Sequence, residues 1–392
     1  MKKLIIGFFG GTFVNYQIAK NCEKLGARSF LLDKNKNCYV SKKKNFANID
    51  FNKIGKVIKF IKKKKINFLY TSQSDVGIKS LGYINTKLGL AGTSYSLAKK
   101  LTDKIKIRKI LKKNGFYQPN FFEIKNKKKP KINFSKKKYL LKPIDSSGSR
   151  GIYEIKKSDN LTNLMNNSLK FSKSKKLIIE EKIKGIEFGA QTFSINGYCK
   201  NVILHDDIMS KINPKIPIGH LMPFNIIKDK KKISDIKLEI QRAVNILGVE
   251  NGPCNVDCIY SKNKKLYLLE ISPRLGATCL PNILKIYTGI DWDLNTIKLC
   301  NSLKINSIKE KKINAAAMVF ESKRDGYLKD ISIKKNIKNS EIRLLVKKNQ
   351  KIEKFTNGSK LFGYIVAFSK NRNYLIKNIN KTIRSIKIKF KK

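Results

Sequence analysis

Residues 252–278 read GPCNVDCIYSKNKKLYLLEISPRLGAT, and their second half poses a physical problem. Tyr267, Leu268, Leu269 and Ile271 have the composition of a buried strand, yet Glu270 stands among them. An isolated buried carboxylate is costly, so such a group is protonated, paired, or bound to a metal. If Lys262–Lys265 form a turn, the flanking segments pair as a hairpin in which Asp257 faces Glu270 and Asn255 faces Ser272. Facing residues in antiparallel strands have Cβ atoms about 4.5–5.5 Å apart. Two carboxylates that close repel unless a proton or a cation lies between them. Donors made only of oxygen suit Mg²⁺, which commonly sits on one or two carboxylates together with nucleotide phosphates. The plainer reading is a solvent-facing acidic pair balanced by lysines.

A second segment, KPIDSSGSRGI (Lys142–Ile152), combines small residues and hydroxyls with Lys142 and Arg150. Such a loop brings backbone N–H groups close to an anion. It lacks the G-x-x-x-x-G-K-[ST] spacing of a P-loop, and a flexible surface turn is its bland alternative.

The rest of the chain sets the organisation. LIIGFF, a turn at Gly10 and Gly11, a helical stripe at Ile18, Cys22 and Leu25, and a strand ending in Asp33 alternate as in a parallel sheet covered by helices. This unit is expected to end near Thr93. Ser94–Gly115 is helical, with Thr102 expected to cap its second part. A Lys- and Pro-rich linker, KNKKKPKINFSKKK, then leads to YLLKPI. Ile236, Ile240, Ala243, Val244 and Leu247 mark a helix closed by Gly248. The last segment carries the strands AAAMVF and FGYIVAFS and a helix through Leu375, Ile379, Ile383 and Ile386.

The net charge of +57 invites a nucleic-acid reading, but only nine of the basic residues are arginine and 76 are lysine. Arginine is the residue favoured for phosphate and base recognition. Abundant Lys, Asn and Ile share A- and T-rich codons, so genome bias explains the composition. Seven scattered cysteines without a C-x-x-C pair, and only His205 and His220, make a zinc site a poor expectation. The cysteines read as reduced core thiols. His205 with Asp206 and Asp207 resembles a base dyad, with a loop of solvated acids as the plainer reading; His220 reads as a satisfied hydrogen-bonding histidine in preference to one facing the substrate, and Trp292 as packing. No apolar run is long enough for a spanning helix, and MKKLIIGFFGG reads as a strand entering a turn rather than a secretory leader. A cytoplasmic location is expected.

Four segments occur in an order that resembles the ATP-grasp enzymes, in the branch of biotin carboxylase and the carbamoyl phosphate synthase large chain. They are TDKIKIRKILKKNGFYQP, LLKPIDSSGSRGI, LIIEEKIKGIEFGAQTF and the 252–278 hairpin, and the likeness covers roughly Ser94 to Cys300. It implies an α/β architecture: a Rossmann-like domain (1–93), a two-lobed α+β ATP-grasp domain (94–180 and 181–300), and a small C-terminal α+β domain (301–392). It also implies roles. Lys104 and Lys142 would bind phosphates, and Ser147, Gly148, Ser149, Arg150 and Gly151 would fold over them. Glu180, Glu181, Lys182 and Ile183 would meet adenine, with the choice between the two glutamates open, and Glu187 the ribose. Asp257, Glu270 and Ser272 would hold Mg²⁺, with Mn²⁺ as an accepted substitute; Ser272 stands where the family usually has Asn. Arg274 would lie beside the transferred phosphoryl group, with Arg150 assisting.

The implied activity is an ATP- and Mg²⁺-dependent ligase that activates a small carboxylate as an acyl phosphate, releases ADP, and passes the acyl group to an amine. A homodimer is common in that branch; neither nucleic acid nor membrane is implied. The alternatives are bicarbonate activation, an NAD-dependent oxidoreductase read from GFFGGTF and Asp33, and a basic nucleic-acid binder.

Overall fold

The computed structural model describes residues 3–124, 137–213, 216–358 and 360–391; most of the Lys- and Pro-rich linker lies outside them. The first unit contains β1 (Ile5–Phe9), α1 (Phe13–Glu23), β2 (Arg28–Leu32), β3 (Phe46–Ala47), α2 (Ile54–Lys64), β4 (Phe68–Tyr70) and α3 (Ile78–Leu88). Its four strands run parallel in the order β3-β2-β1-β4. The chain turns at Gly10, whose φ of +112° suits glycine, and Thr12 caps α1 by accepting from the Asn15 N–H. The Asp33 carboxylate accepts from the Gly11 N–H at 2.7 Å. The acid that a dinucleotide reading needs at the ribose is therefore engaged in holding the turn.

The next unit comprises α4 (Tyr95–Leu101), α5 (Lys104–Lys113), β5 (Phe121–Ile124), β6 (Tyr139–Pro143), β7 (Tyr153–Ile155), α6 (Leu161–Leu169) and β8 (Leu177–Glu181). Asp103, not Thr102, caps α5, accepting from Ile105 and Lys106, while the Thr102 hydroxyl donates back to Ala98. A carboxylate also suits a helix N-terminus electrostatically. The four strands form an antiparallel sheet, β5-β8-β6-β7, with Leu161, Leu164 and Met165 of α6 packed on Leu141, Ile155 and Ile179.

The third unit holds β9 (Gly185–Ile195), β10 (Tyr198–Met209), β11 (Pro217–Met222), α7 (Lys230–Leu247), β12 (Gly252–Ser261), β13 (Leu266–Ser272), α8 (Leu280–Thr288) and α9 (Trp292–Cys300). The chain ends with β14 (Asn314–Glu321), β15 (Gly326–Ser332), β16 (Ser340–Leu344), β17 (Lys351–Ile352), β18 (Leu361–Ser369), α10 (Arg372–Arg384) and β19 (Lys387–Phe390). Ile386 falls just beyond α10. One eight-stranded sheet, β13-β12-β9-β10-β11-β14-β18-β16, runs across the boundary expected at residue 300. One face of it packs α7 through Ile236, Ile240, Ala243, Val244 and Leu247. The other packs α8 and Trp292, whose indole N–H donates to Thr288. Leu294 and Ile297 of α9 enter the core of the first unit, where the Tyr70 hydroxyl donates to Asp293 at 2.6 Å.

His205–Asp207 is not a solvated loop. It lies within β10 because alternation along the strand places His205 and Asp207 on one face, and Asp206 on the other against Arg372.

Candidate active site

The hairpin pairs Asp257 with Glu270 and Asn255 with Ser272, as the pattern predicts. The route differs. The turn contains three residues, Lys262–Lys264, closed by Ser261 N–H to Lys265 O, with Lys264 left-handed at φ 57°. Continued regularly, that turn would set Asp257 against Leu269 and send Glu270 to the other face. A bulge opposite Asp257 and Cys258 absorbs Leu269 and restores the facing carboxylates. Asp257 projects exposed from the cleft floor. The surrounding protein walls first, and the facing Glu270 second, push its carboxyl up to about 7.

Asn255 was expected to add an oxygen ligand, and it does not. Its Nδ2 donates to Asp257 at 2.8 Å and its Oδ1 accepts from Gln191 at 2.6 Å. Gln191, fully buried on β9, in turn accepts from the Gly276 N–H at 2.9 Å. This amide chain orients Asp257. Gln191 sits four residues beyond Glu187 on the same strand face, a signal available in the alternation.

Cations come from three directions. Lys104, at the start of α5, reaches Glu270 at 3.5 Å and donates to Ser146 O at 2.7 Å. Lys142 on β6 pairs with the buried Glu180 at 2.5 Å. Arg108, which sequence reasoning missed, holds the other oxygen of Glu180 through two guanidinium nitrogens at 3.3 and 3.2 Å. Burial opposes ionisation of Glu180, but Lys142 and Arg108 outweigh it and hold the acid at about 2. Glu180 therefore points inward to Lys142. Glu181 points the other way, to Lys137 at 2.8 Å and Asn120 at 3.0 Å. Lys182 pairs with Glu154 at 2.7 Å, and residues 182–184 link β8 to β9 as irregular backbone. Glu187 is exposed on the cleft face of β9, its carboxyl raised by burial and by Asp207.

The 146–151 loop is a run of left-handed residues: Gly148 (φ 65°), Ser149 (56°) and Gly151 (76°). Arg150 bends back onto it, donating to the Ser147 carbonyl at 2.9 Å and to its hydroxyl at 3.3 Å. Arg274 forms a bidentate pair with Asp75 of the first unit, at 2.9 and 2.5 Å. Burial opposes ionisation of Asp75, yet Arg274, with Lys104 and the Ser272 hydroxyl, holds it below the usual carboxylate range. Ser272 thus faces both the metal pair and Asp75. A cavity of about 790 Å³, lined by Lys109, Lys112, Lys113, Phe121, Phe122 and Tyr139, also takes in Asn120 and Lys137, the partners of Glu181, but none of Lys104, Lys142, Asp257, Glu270 and Arg274.

Residues 101–278 match the family model described as the ATP-grasp domain. These residues form an ATP-grasp domain. Full-length similarity extends to solved ATP-grasp structures. The phosphoribosylglycinamide synthetase of Anaerococcus prevotii is 25% identical with a TM-score of 0.76, each chain covered over 100%. The L-amino acid ligase of Bacillus licheniformis is 16% identical at a TM-score of 0.80, again over 100% of both chains. The biotin carboxylase domain of Hydrogenobacter thermophilus 2-oxoglutarate carboxylase, a dimer solved with MgADP, is 12% identical at 0.77, covering 99% of this chain and 91% of that one. No curated protein matches the sequence. Among the described residues no helix is long and apolar enough to cross a membrane.

The family uses ATP and Mg²⁺, and the donors here fit that ion. Two facing carboxylates, of which Asp257 is open to the cleft and raised in proton affinity, concentrate negative charge that a hard cation would balance. The sign gives a prediction. Because the Asp257 carboxyl is raised to about 7, the site holds a proton below that pH and must release it to take Mg²⁺. Titration calorimetry of MgADP in buffers of different ionisation enthalpy should show proton release at pH 6 to 7 that disappears well above it, with affinity rising across the same range. Binding independent of pH and buffer would contradict the shared proton.

Proposed function

We propose that this ATP-grasp enzyme joins a small carboxylic acid to an amine, with MgATP lying between the two lobes on the residues described above. The observation that carries the reading is the facing Asp257–Glu270 pair, with Lys104 and Arg274 beside it and Lys142 on the opposing lobe. Mg²⁺ held by Asp257 and Glu270, with Ser272 as a weaker donor, would screen phosphate charge; Mn²⁺ has the same ligand preference and is proposed as a substitute. Lys142 and Lys104 bind the phosphates, and the 146–151 loop of small residues closes over them. Residues 180–183 frame adenine, with Glu180 held inward by Lys142, so the backbone after it and Glu181 line the outer edge. Glu187 takes the ribose hydroxyls.

The substrate carboxylate attacks the terminal phosphorus, ADP leaves, and an acyl phosphate remains. Arg274, fixed by Asp75, presents positive charge where negative charge develops. The amine then attacks the acyl carbon and phosphate departs. Exclusion of water by the closed loop protects the acyl phosphate from hydrolysis. We further propose that residues 71–76 and those after Arg274 read the substrates, and that the protein acts as a cytoplasmic enzyme that forms a homodimer, as the biotin carboxylase domain does.

The test is incubation with MgATP, pooled carboxylic metabolites and amines, followed by identification of the nucleotide released. ADP and phosphate that appear only with the pool support the reading. AMP and pyrophosphate would mean adenylation and overturn it. ADP release that requires bicarbonate alone would favour carboxyl-phosphate chemistry instead.

A further inference from the structure

The chain contains two histidines, and both meet at one point that the roles above leave unused. His205 and Asp207 lie on one face of β10, and Asp207 stands directly opposite His220 on β11. This is the sheet face that carries the metal carboxylates: Asp257 faces Gly189 on β9, and Gly189 faces His205. Glycine is required there, because a Cβ at residue 189 would lie 2.3 Å from the His205 ring. His205 and His220 are 2% and 4% exposed.

The hydrogen bonds fix where the protons sit. Gln191 accepts from Gly276 and donates to Asn255, and Asn255 donates to Asp257. Neither amide can turn round without losing bonds at both ends. The remaining Gln191 N–H therefore faces His205 Nε2, at 3.3 Å, and that nitrogen accepts. The His205 proton is then on Nδ1, which lies 3.0 Å from Asp207 Oδ1 but too poorly aligned for a hydrogen bond. His220 Nδ1 lies 2.7 Å from the same Asp207 oxygen. As donor to a carboxylate, it carries the His220 proton and leaves a lone pair on Nε2. That Nε2 has no hydrogen-bond partner among the described residues. The three side chains cluster closely enough to suggest a metal. A cation on His205 Nδ1 would drive the proton to Nε2, against the Gln191 N–H, so the network disfavours one.

We propose, building on the ligase reading, that His220 is the general base that deprotonates the incoming amine, with Asp207 as its positioning residue. Asp207, held ionised beside both histidines, favours a nucleophile that arrives as an ammonium ion. One N–H proton passes to His220 Nε2, and the freed nitrogen lone pair forms the C–N bond. The C–O bond to phosphate breaks, and the departing phosphate keeps its electron pair and takes up the second N–H proton. Asp207 stabilises the imidazolium.

The first arm of the test needs no substrate. Long-range ¹H–¹⁵N spectra of histidine-labelled protein should show both rings as Nδ1–H tautomers near neutral pH, and Asp207→Asn should alter the His220 signals. An Nε2–H tautomer at His220, or equimolar Zn²⁺ moving both rings together, would overturn the proposal. The second arm uses the pooled substrates. His220→Gln should lower amide formation by about 10²-fold or more. Hydroxylamine, already unprotonated at neutral pH, should still capture the acyl phosphate as a hydroxamate at close to the wild-type rate. Equal loss with both nucleophiles, or no loss with either, removes His220 as the base. Absence of ADP release from the wild-type protein with every carboxylate would count against the ligase reading itself.

Discussion

Glu270→Ala is expected to lower ADP release by about 10³-fold or more, since it removes one of two carboxylates that hold charge beside the transferred phosphoryl group. The same change should not unfold the protein. Glu270 loses its 3.5 Å contact with Lys104, an exchange of modest size for a partly exposed pair. It also ends the repulsion that raises the Asp257 carboxyl. The thermal midpoint should therefore hold or rise while turnover disappears, the signature of a site that stores unfavourable charge for function. Parallel thermal scans and ADP assays separate the two effects. Full turnover in the variant would sink the assignment of the pair, and a collapse of the midpoint would make Glu270 a structural residue.

Arg108→Met should be the most destabilising single change at the site. Arg108 is fully buried on α5; it holds Glu180 of the β5-β8-β6-β7 sheet and donates to the Leu268 carbonyl of the hairpin at 3.1 Å. Removing one partner of a buried pair leaves an uncompensated charge, at a cost of about 3–5 kcal/mol. Lys142 remains to share Glu180, so the low end of that range is expected. The loss should appear as a lower denaturant midpoint, with weaker MgATP binding because Lys142 would be drawn further to Glu180. Arg108→Lys should recover part of the charge and little of the bidentate geometry. An unchanged midpoint for the methionine variant would show that the pair carries no stability.

What was legible in the sequence followed from patterns that depend on nearest neighbours. The strand–turn–helix opening, the α7 stripe and the apposition of Asp257 and Glu270 are such cases. The apposition was reached despite a turn one residue shorter than expected, because the Leu269 bulge repairs the register. Arg108 was hidden because its neighbours Ile107 and Leu111 define the buried stripe, and an arginine beside it reads as solvent-facing until Glu180, 72 residues away, is placed next to it. His205–Asp207 was misread because the partner that dries and pairs the acid, His220, comes from another strand. Both misses turn on polar contacts between separate elements, which local periodicity does not encode.

The continuity of the eight-stranded sheet has a practical consequence for dissecting the enzyme. Ending the chain after α9 would strip β14 from β11 and turn the strand that carries His220 into an open edge, its row of N–H and C=O groups facing water. Such an edge recruits other strands, including those of a second copy. A fragment holding every nucleotide-binding residue is thus expected to self-associate rather than work in isolation, and the final 92 residues serve as the seal on the catalytic sheet.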